Sequence, residues 1–369
     1  MTDSIKSPAW WVGIGLAVSV SVAAGYLAEW FGEFVLGFEK SPVSAIMMAI
    51  ILGMIIANTI KLPDGATQGL RFCTSTIMRI GIMLLGIRLS LMGAGRFTLV
   101  ALPFVVVAIT VGLTTVGLVG RRMGMSKWLS GLIAVGTSIC GVTAIVAIAP
   151  LIRAKEPGIS YAVACITIFG VLAMLFYPII AYHAFADQPA LAGLFLGTSI
   201  HDTAQVAGAG MMYEAQYDAP VALEVATVTK LVRNLGMIAV IPFVGYMFGS
   251  DQRAGESSKG VKLLSMIPWF IVGFAVMSAV RSIGDIGDQA FGVLNQDQWQ
   301  ATIGFTRDAA AQFLLVAMSA VGLTTLFAHI ISIGVRPFIL GLFAALLVGG
   351  VSFTLITLFA EALIQMVGL

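Results

Sequence analysis

Runs of about 20 predominantly apolar residues recur along this chain of 369 residues, and a run of that length can cross a lipid bilayer as a helix. We identify such runs at residues 10–32, 43–60, 73–92, 97–120, 128–152, 158–184, 190–213, 219–248, 264–282, 300–323 and 337–360. A chain inside the bilayer core must satisfy its backbone hydrogen bonds internally, which favours helices. The sequence therefore predicts an all-α polytopic membrane protein in which residues 1–369 form a single transmembrane domain.

The charge content excludes two other classes of protein. Only 10% of the residues are charged and 59% are hydrophobic, whereas an average soluble domain has about 25% charged residues. So few charges cannot cover the surface of a soluble globule. The net charge of +2 comes from scattered basic residues, which excludes a nucleic-acid binder. Membrane lipid and a small substrate are the expected partners.

Motifs of enzymes are missing from the sequence. It has neither a phosphate-binding P-loop nor a Gly-x-Ser-x-Gly nucleophile motif. Its three cysteines, Cys73, Cys140 and Cys165, form neither a metal cluster nor a disulfide framework, and we expect them to be buried. We therefore expect no catalytic residues, no metal and no cofactor, with H⁺ or Na⁺ as the candidate coupling ion.

The distribution of basic residues predicts the orientation, because cytoplasmic loops carry an excess of Lys and Arg. The loops 121–127 and 249–263 hold three bases each, whereas 283–299 holds three aspartates and no base. This pattern predicts a cytoplasmic N-terminus and a periplasmic C-terminus.

Two apolar segments, 128–152 and 190–213, share an internal motif. The first contains Gly136-Thr137-Ser138-Ile139-Cys140-Gly141, and the second contains Gly197-Thr198-Ser199-Ile200-His201-Asp202. Both segments are predicted to be discontinuous or re-entrant. If both cross there are eleven spans, and if both re-enter there are nine spans and two hairpins. Residues 73–120 also resemble residues 313–356. The two stretches are predicted to cross the membrane in opposite directions, as the inverted repeats of secondary transporters do.

The composition of the paired motif predicts broken helices. Gly allows unusual backbone angles, and Ser and Thr offer the backbone alternative hydrogen bonds. Each break leaves free N–H groups and a positive dipole at the start of the next half-helix. Two such ends, with the Thr and Ser hydroxyls as extra donors, would bind a small oxyanion. The alternative is a seam of small residues that packs helices closely.

Ionisable residues within the apolar segments are the other candidates for function, because they are costly there. His201 and Asp202 are candidates for coupling, and a structural His–Asp hydrogen bond is the alternative. A polar stripe on the segment 219–248 is expected to line the substrate cavity, with an interfacial helix start as the alternative; it comprises Glu224, Thr227, Lys230, Arg233 and Asn234. Arg88, in segment 73–92, is expected to extend to the membrane boundary.

Several stretches, in order along nearly the whole chain, resemble the YeiH-like family of bacterial inner-membrane proteins. They are 84–90, the motif 136–141, 199–210, 230–234 and 317–325. Members of that family are described as sulfate exporters and are placed near the bile-acid symporters and cation/proton antiporters. The resemblance implies inverted repeats, discontinuous helices that cross near the midplane, a location in the inner membrane, and Cys140 within the motif.

These observations combine into one expected function, a secondary transporter that exports sulfate or sulfite. The substrate would be bound by residues of the two breaks and of the polar stripe: Gly136, Thr137, Ser138, Cys140, Gly141, Gly197, Thr198, Ser199, Lys230, Arg233 and Asn234. The alternatives are a sodium- or proton-coupled organic-anion symporter and a passive anion channel. Dimerisation through the outer helices is a further expectation.

Overall fold

Helices make up nearly all of the computed structural model, which describes residues 8–35, 43–63, 65–249, 267–287, 289–326 and 334–367. Strand structure within these residues is limited to an antiparallel hairpin of β1 (Gln289–Ala290) and β2 (Leu294–Asn295). The predicted all-α class is thus confirmed. The loop 249–263, apart from residue 249, lies outside the described residues, as do Asp288 and both chain ends.

Six helical segments in the described residues are long and apolar enough to span a membrane: Pro8–Trp30, Ala66–Arg88, Leu91–Arg122, Gly158–Phe185, Pro220–Val244 and Val335–Val367. Three further apolar helices are shorter: Ala45–Thr59, Pro189–Ser199 and Trp269–Gly284. The chain is therefore a multi-pass membrane protein. The number of nine to eleven spans, the re-entrant segments and the inverted repeats stay predictions.

The chain divides into two units. The first comprises 1–94, 207–224 and 270–327, and the second comprises 95–206, 225–269 and 328–369. Boundaries fall within four helices, each of which is divided between the units: α5 (Leu91–Val111), α11 (Thr203–Tyr217), α12 (Pro220–Leu235) and α14 (Trp269–Gly284).

The first unit is built on α1 (Pro8–Trp30), α2 (Ala45–Thr59), α3 (Ala66–Phe72), α4 (Met78–Leu85), α14 (Trp269–Gly284) and α15 (Gln296–Thr324). A π-helical turn, Cys73–Ile77, joins α3 to α4, and a 3₁₀ turn, Gly86–Arg88, follows α4. Helix α15 packs against α1, α2 and α4. It begins with a capping box in which Asn295 accepts from the Gln298 backbone and Gln298 accepts from the Asn295 backbone.

Close contact between α2 and α15 depends on two glycines. A Cβ atom at Gly322 would lie 2.4 Å from the Ile50 carbonyl oxygen, and one at Gly53 would lie 2.8 Å from the Ser319 carbonyl oxygen. Small residues of this kind let helix backbones approach each other in membrane proteins.

Enlarging Gly322 is expected to force these two helices apart. We expect Gly322→Ala to lower the free energy of unfolding by about 3 kcal/mol, because the obstructing atom belongs to the backbone and cannot rotate away. Gly304→Ala, in the same helix, is the matched control, since a Cβ there meets nothing within 4 Å. The free energies of unfolding of both variants are measured on the purified proteins in detergent. Equal stability of the two variants would contradict the role of Gly322.

The second unit contains the remaining helices: α6 (Gly117–Arg122), α7 (Lys127–Ser138), α8 (Val142–Ile148), α9 (Glu156–Phe185), α10 (Pro189–Ser199), α13 (Met237–Gly249) and α16 (Val335–Val367). A π-helical turn, Gly112–Val116, links α5 to α6. Helices α7 and α10 both pack against α9 and α16. Each of them ends in the middle of a predicted apolar segment, and these two ends form the candidate site.

Candidate functional site

The helix in each of the two motif-bearing segments is interrupted at the motif, as the sequence predicts. Helix α7 ends at Ser138 and α8 begins at Val142; Ile139 between them has φ −119° and ψ −93°. Gly141 has φ +67°, a conformation that glycine adopts without the steric cost of a Cβ atom. In the second segment, α10 ends at Ser199 and α11 begins at Thr203.

Lys230 of α12 joins the two breaks. Its side chain is fully buried. The Nζ atom donates to the carbonyl oxygens of Ile139 and Ile200, both at 2.9 Å, and also to that of His201. An ammonium has three N–H donors, so these three carbonyl groups use all of them.

Arg233, one helical turn further along α12, binds the same two helix ends. Its Nε donates to the Ser138 carbonyl oxygen at 2.8 Å, and Nη2 donates to that of Thr137. Its Nη1 donates to the carbonyl oxygens of Thr198 at 2.6 Å and Ile200 at 3.1 Å. These bonds occupy four of the five N–H groups of the guanidinium.

The contacts of Lys230 and Arg233 explain how broken helices are stable here. The last carbonyl groups of a helix lack partners within the helix and carry a partial negative charge. Two buried cations satisfy both the hydrogen bonds and the charge at the carboxyl ends of α7 and α10. The sequence predicts that the two cations lie near the site, but it does not predict that they bind these helix ends.

Asp202 occupies the start of α11. Its Oδ1 accepts from the Ala204 backbone N–H at 2.9 Å, and the Gln205 side chain accepts from the Asp202 N–H at 3.2 Å. A Cβ atom on Gly141 would lie 2.9 Å from Asp202 Oδ2, so this carboxylate also packs against the other break. The arrangement differs from the expected one, in which both amino-terminal ends were open to a substrate. An aspartate at a helix start accepts backbone hydrogen bonds, and its negative charge compensates the positive end of the helix dipole. The chain therefore supplies its own anion at this end.

The glycines and threonines of the motif contact their own helices and neighbours. A Cβ at Gly136 would lie 2.8 Å from Ile145 Cδ1, and one at Gly197 would lie 2.6 Å from Thr229 Cβ. The hydroxyl groups of Thr137 and Thr198 each donate at 2.8 Å to the carbonyl four residues earlier. These four positions therefore contribute close packing and local hydrogen bonds in this structure.

Other polar groups at the breaks are buried without a hydrogen-bond partner among the described residues. They include the hydroxyl oxygens of Ser138 and Ser199, the side-chain oxygen of Asn234 and both ring nitrogens of His201. The amide nitrogen of Asn234 donates to Thr203 Oγ1 at 3.1 Å. A buried polar group without a partner costs about 1–3 kcal/mol, so such groups mark places where water or a ligand can bind.

The two remaining predicted site residues are also buried at the breaks. The imidazole of His201 is enclosed, and the Cys140 Sγ lies 3.1 Å from the Met237 Sδ. Cys73 and Cys165 are buried as well, so the expectation that all three cysteines are buried is confirmed.

The profile of a protein family described as "Conserved hypothetical protein 698" matches residues 13–341. The chain belongs to this family. A UPF0324 membrane protein of Oceanobacillus iheyensis is 32% identical over 357 residues, covering 95% of this chain and 96% of the relative. A UPF0324 membrane protein of Bacillus cereus is 31% identical over 350 residues, with 93% of each chain covered.

A third relative, from Bordetella bronchiseptica, is 31% identical over 328 residues and covers 86% of this chain and 94% of the relative. All three relatives are named as membrane proteins, which agrees with the apolar helices of this family member. The resemblance to YeiH-like sulfate exporters and the relationship to bile-acid symporters stay predictions.

The first unit of this family member contains a second polar cluster, formed by Arg88, Glu214 and Glu224. Arg88 Nη1 donates to Glu214 Oε2 at 2.9 Å, Nη2 donates to Glu214 Oε1, and Nε lies 3.5 Å from Glu224 Oε1. The Arg88 side chain is only 7% exposed. Two carboxylates thus hold the guanidinium inside the unit, and the expectation that Arg88 extends to the membrane boundary stays a prediction.

Glu214 is not among the candidate residues predicted from the sequence. Glu214 lies one residue beyond the predicted segment 190–213, but α11 continues through it to Tyr217. The signal that could have found it is charge balance, since a buried arginine requires an acidic partner. The polar stripe also predicted Glu224 to line the substrate cavity, whereas its carboxylate is placed beside Arg88.

Proposed function

We propose that this protein is a secondary transporter that moves a small oxyanion of sulfur, sulfate or sulfite, outward across the bacterial inner membrane. The observation that carries the proposal is the buried positive charge at the two helix breaks. Lys230 and Arg233 are both fully buried there. Asp202 is the one acidic residue of the two motifs, and it is close enough to interact electrostatically with Lys230.

The charge balance of this cluster favours an anionic substrate. Two cations and one carboxylate leave one formal positive charge. The dipole charges of the four half-helix ends cancel in pairs, since two ends are positive and two are negative. An uncompensated charge in a low-dielectric interior is costly, and a bound anion would remove that cost.

The groups free to bind this anion differ from those that hold the helices. The Lys230 ammonium uses its donors on the backbone, so it acts through its charge. The hydroxyl groups of Ser138 and Ser199 and the remaining N–H of Arg233 are the proposed hydrogen-bond donors. His201 and Asp202 are the proposed coupling residues, with H⁺ or Na⁺ as the coupling ion. The choice of sulfur oxyanions rests on the resemblance to YeiH-like proteins, and dimerisation stays a prediction.

The first test is ligand-dependent stability of the purified protein in detergent. We expect sulfate or sulfite to raise the melting temperature with concentration, because a ligand that binds only the folded state adds about 2.7 kcal/mol at 100 times its Kd. The double variant Ser138→Ala and Ser199→Ala should lose this shift. Ser130→Ala with Ser352→Ala is the matched control, since those hydroxyl groups are also buried without partners but lie outside the breaks.

The competing functions give different results in the same assay and in vesicles. A shift produced only by organic anions with sodium would replace the proposal with an organic-anion symporter. Counterflow of labelled sulfate or sulfite in proteoliposomes supports a transporter, whereas uncoupled, non-saturating flux indicates a channel. No shift with any anion and no counterflow would overturn the proposal.

A further inference from the structure

A cavity of about 300 Å³ lies in the second unit between α6, α7, α13 and the π-helical turn before α6. Two cations line it, Arg121 at the end of α6 and Lys127 at the start of α7. Its walls are mainly apolar and include Leu113, Leu118, Val135 and Phe243. The cavity is thus amphipathic, and no acidic side chain is among its lining residues.

The charged and apolar parts of the cavity are separated along the helices. Arg121 and Lys127 flank the tight turn between α6 and α7, whereas Leu113 and Val135 each lie eight residues away from the nearer cation. Eight helical residues correspond to about 12 Å. A ligand that fills this cavity therefore needs a compact anionic group at one end and a hydrocarbon chain at the other.

The apolar wall opens to the outside of the unit. Phe243 is 57% exposed and Leu118 is 48% exposed, and both lie in segments long and apolar enough to span a membrane. A Cβ atom on Gly117, another lining residue, would meet nothing within 4 Å. This opening lets a ligand reach the cavity from the exposed surface of these apolar segments.

We propose that this cavity binds an anionic phospholipid, with its phosphate at Arg121 and Lys127 and an acyl chain along Leu113 and Val135. Arginine binds phosphate oxygens with two parallel hydrogen bonds, and basic pockets between transmembrane helices bind anionic headgroups. The hydrocarbon chain gains from burial against the apolar wall, a contribution that an inorganic anion cannot make. The site is independent of the proposed transport function.

The headgroup contact is tested by measuring lipid binding to the purified protein by native mass spectrometry and by thermal shift. The probes are phosphatidylglycerol, phosphatidylcholine and inorganic phosphate. Phosphatidylglycerol should bind and stabilise the wild-type protein most. Arg121→Gln with Lys127→Gln should bind it about thirtyfold more weakly, because each basic residue contributes about 1 kcal/mol near an anionic lipid.

A matched control removes the same charges outside the cavity. Arg122→Gln with Lys155→Gln also removes one arginine and one lysine, both exposed and neither among the lining residues. This pair should retain binding of phosphatidylglycerol. Equal losses in the two double variants, or equal binding of phosphatidylglycerol and phosphatidylcholine by the wild type, would overturn the proposal.

The acyl-chain contact has a separate test that leaves both cations in place. Gly117→Leu should fill the apolar part of the cavity without a backbone clash, and it should lower binding of both phospholipids while the protein remains folded. Stabilisation by inorganic phosphate equal to that by phosphatidylglycerol would show that the cations bind a free anion. That result, or unchanged lipid binding by Gly117→Leu, would contradict the lipid site.

Discussion

Replacing Arg233 with methionine is expected to lower the free energy of unfolding by about 4 kcal/mol and to abolish anion counterflow. The substitution keeps much of the side-chain volume but removes every hydrogen bond that Arg233 donates to the carboxyl ends of α7 and α10. Removing one partner from a buried charged network costs about 3–5 kcal/mol, because the remaining polar groups stay buried and unsatisfied. Unfolding in mixed detergent micelles measures the loss.

Two control variants separate the effect of the hydrogen bonds from the effect of charge. Arg233→Lys retains the positive charge, but an ammonium lacks the planar fork that reaches both helix ends, so we expect an intermediate loss. Arg122→Gln removes an exposed arginine and should change stability by less than about 0.5 kcal/mol. If Arg233→Met changed the free energy of unfolding as little as Arg122→Gln, Arg233 would not hold the breaks together.

A double-mutant cycle tests whether Lys230 and Arg233 stabilise the breaks together. Lys230 and Arg233 share the carbonyl oxygen of Ile200 as an acceptor. Residues within one hydrogen-bond network have non-additive effects. Lys230→Met should therefore destabilise the wild type more than it destabilises Arg233→Met. Additive losses would mean that the two cations hold the helix ends independently.

Replacing Arg88 with methionine is expected to cost about 3 kcal/mol of stability in the first unit. Arg88 is 7% exposed and contacts both Glu214 and Glu224. Without it, two neighbouring carboxylates lose their cation and repel each other, a loss typical of breaking a buried ion pair. Partial exposure of the glutamates keeps the expected cost at the lower end of the usual range.

A rescue experiment tests whether unpaired carboxylates cause the loss of stability in Arg88→Met. Adding Glu214→Gln to Arg88→Met removes one unpaired carboxylate and should restore part of the lost stability. Arg307→Met is the matched control, because Arg307 is 55% exposed and lies 3.6 Å from Asp308. Exposed pairs contribute about 0–1 kcal/mol, so this control should change little. Failure of Glu214→Gln to rescue Arg88→Met would contradict the explanation.

Much of the fold could be predicted because it depends on neighbouring residues. The length and apolar character of segments such as 158–184 predict helices, and the structure has α9 at Glu156–Phe185. The two breaks could also be predicted, since Gly141 and the Ser and Thr residues of the motif weaken a helix through local conformational preferences. The prediction was less successful for helix ends, and α11 extends beyond the expected limit at residue 213 to Tyr217.

A helical membrane protein with two interrupted segments follows from the sequence alone, because local hydrophobicity and backbone preferences specify both properties. Which side chains stabilise the interruptions depends on the tertiary structure. Lys230 binds a carbonyl group 91 residues away, and Arg88 binds a carboxylate 126 residues away. Such pairings depend on how distant helices pack, and buried charges must find their partners wherever the fold places them. That packing gave Lys230 and Arg233 their place at the helix ends and brought Glu214 to Arg88.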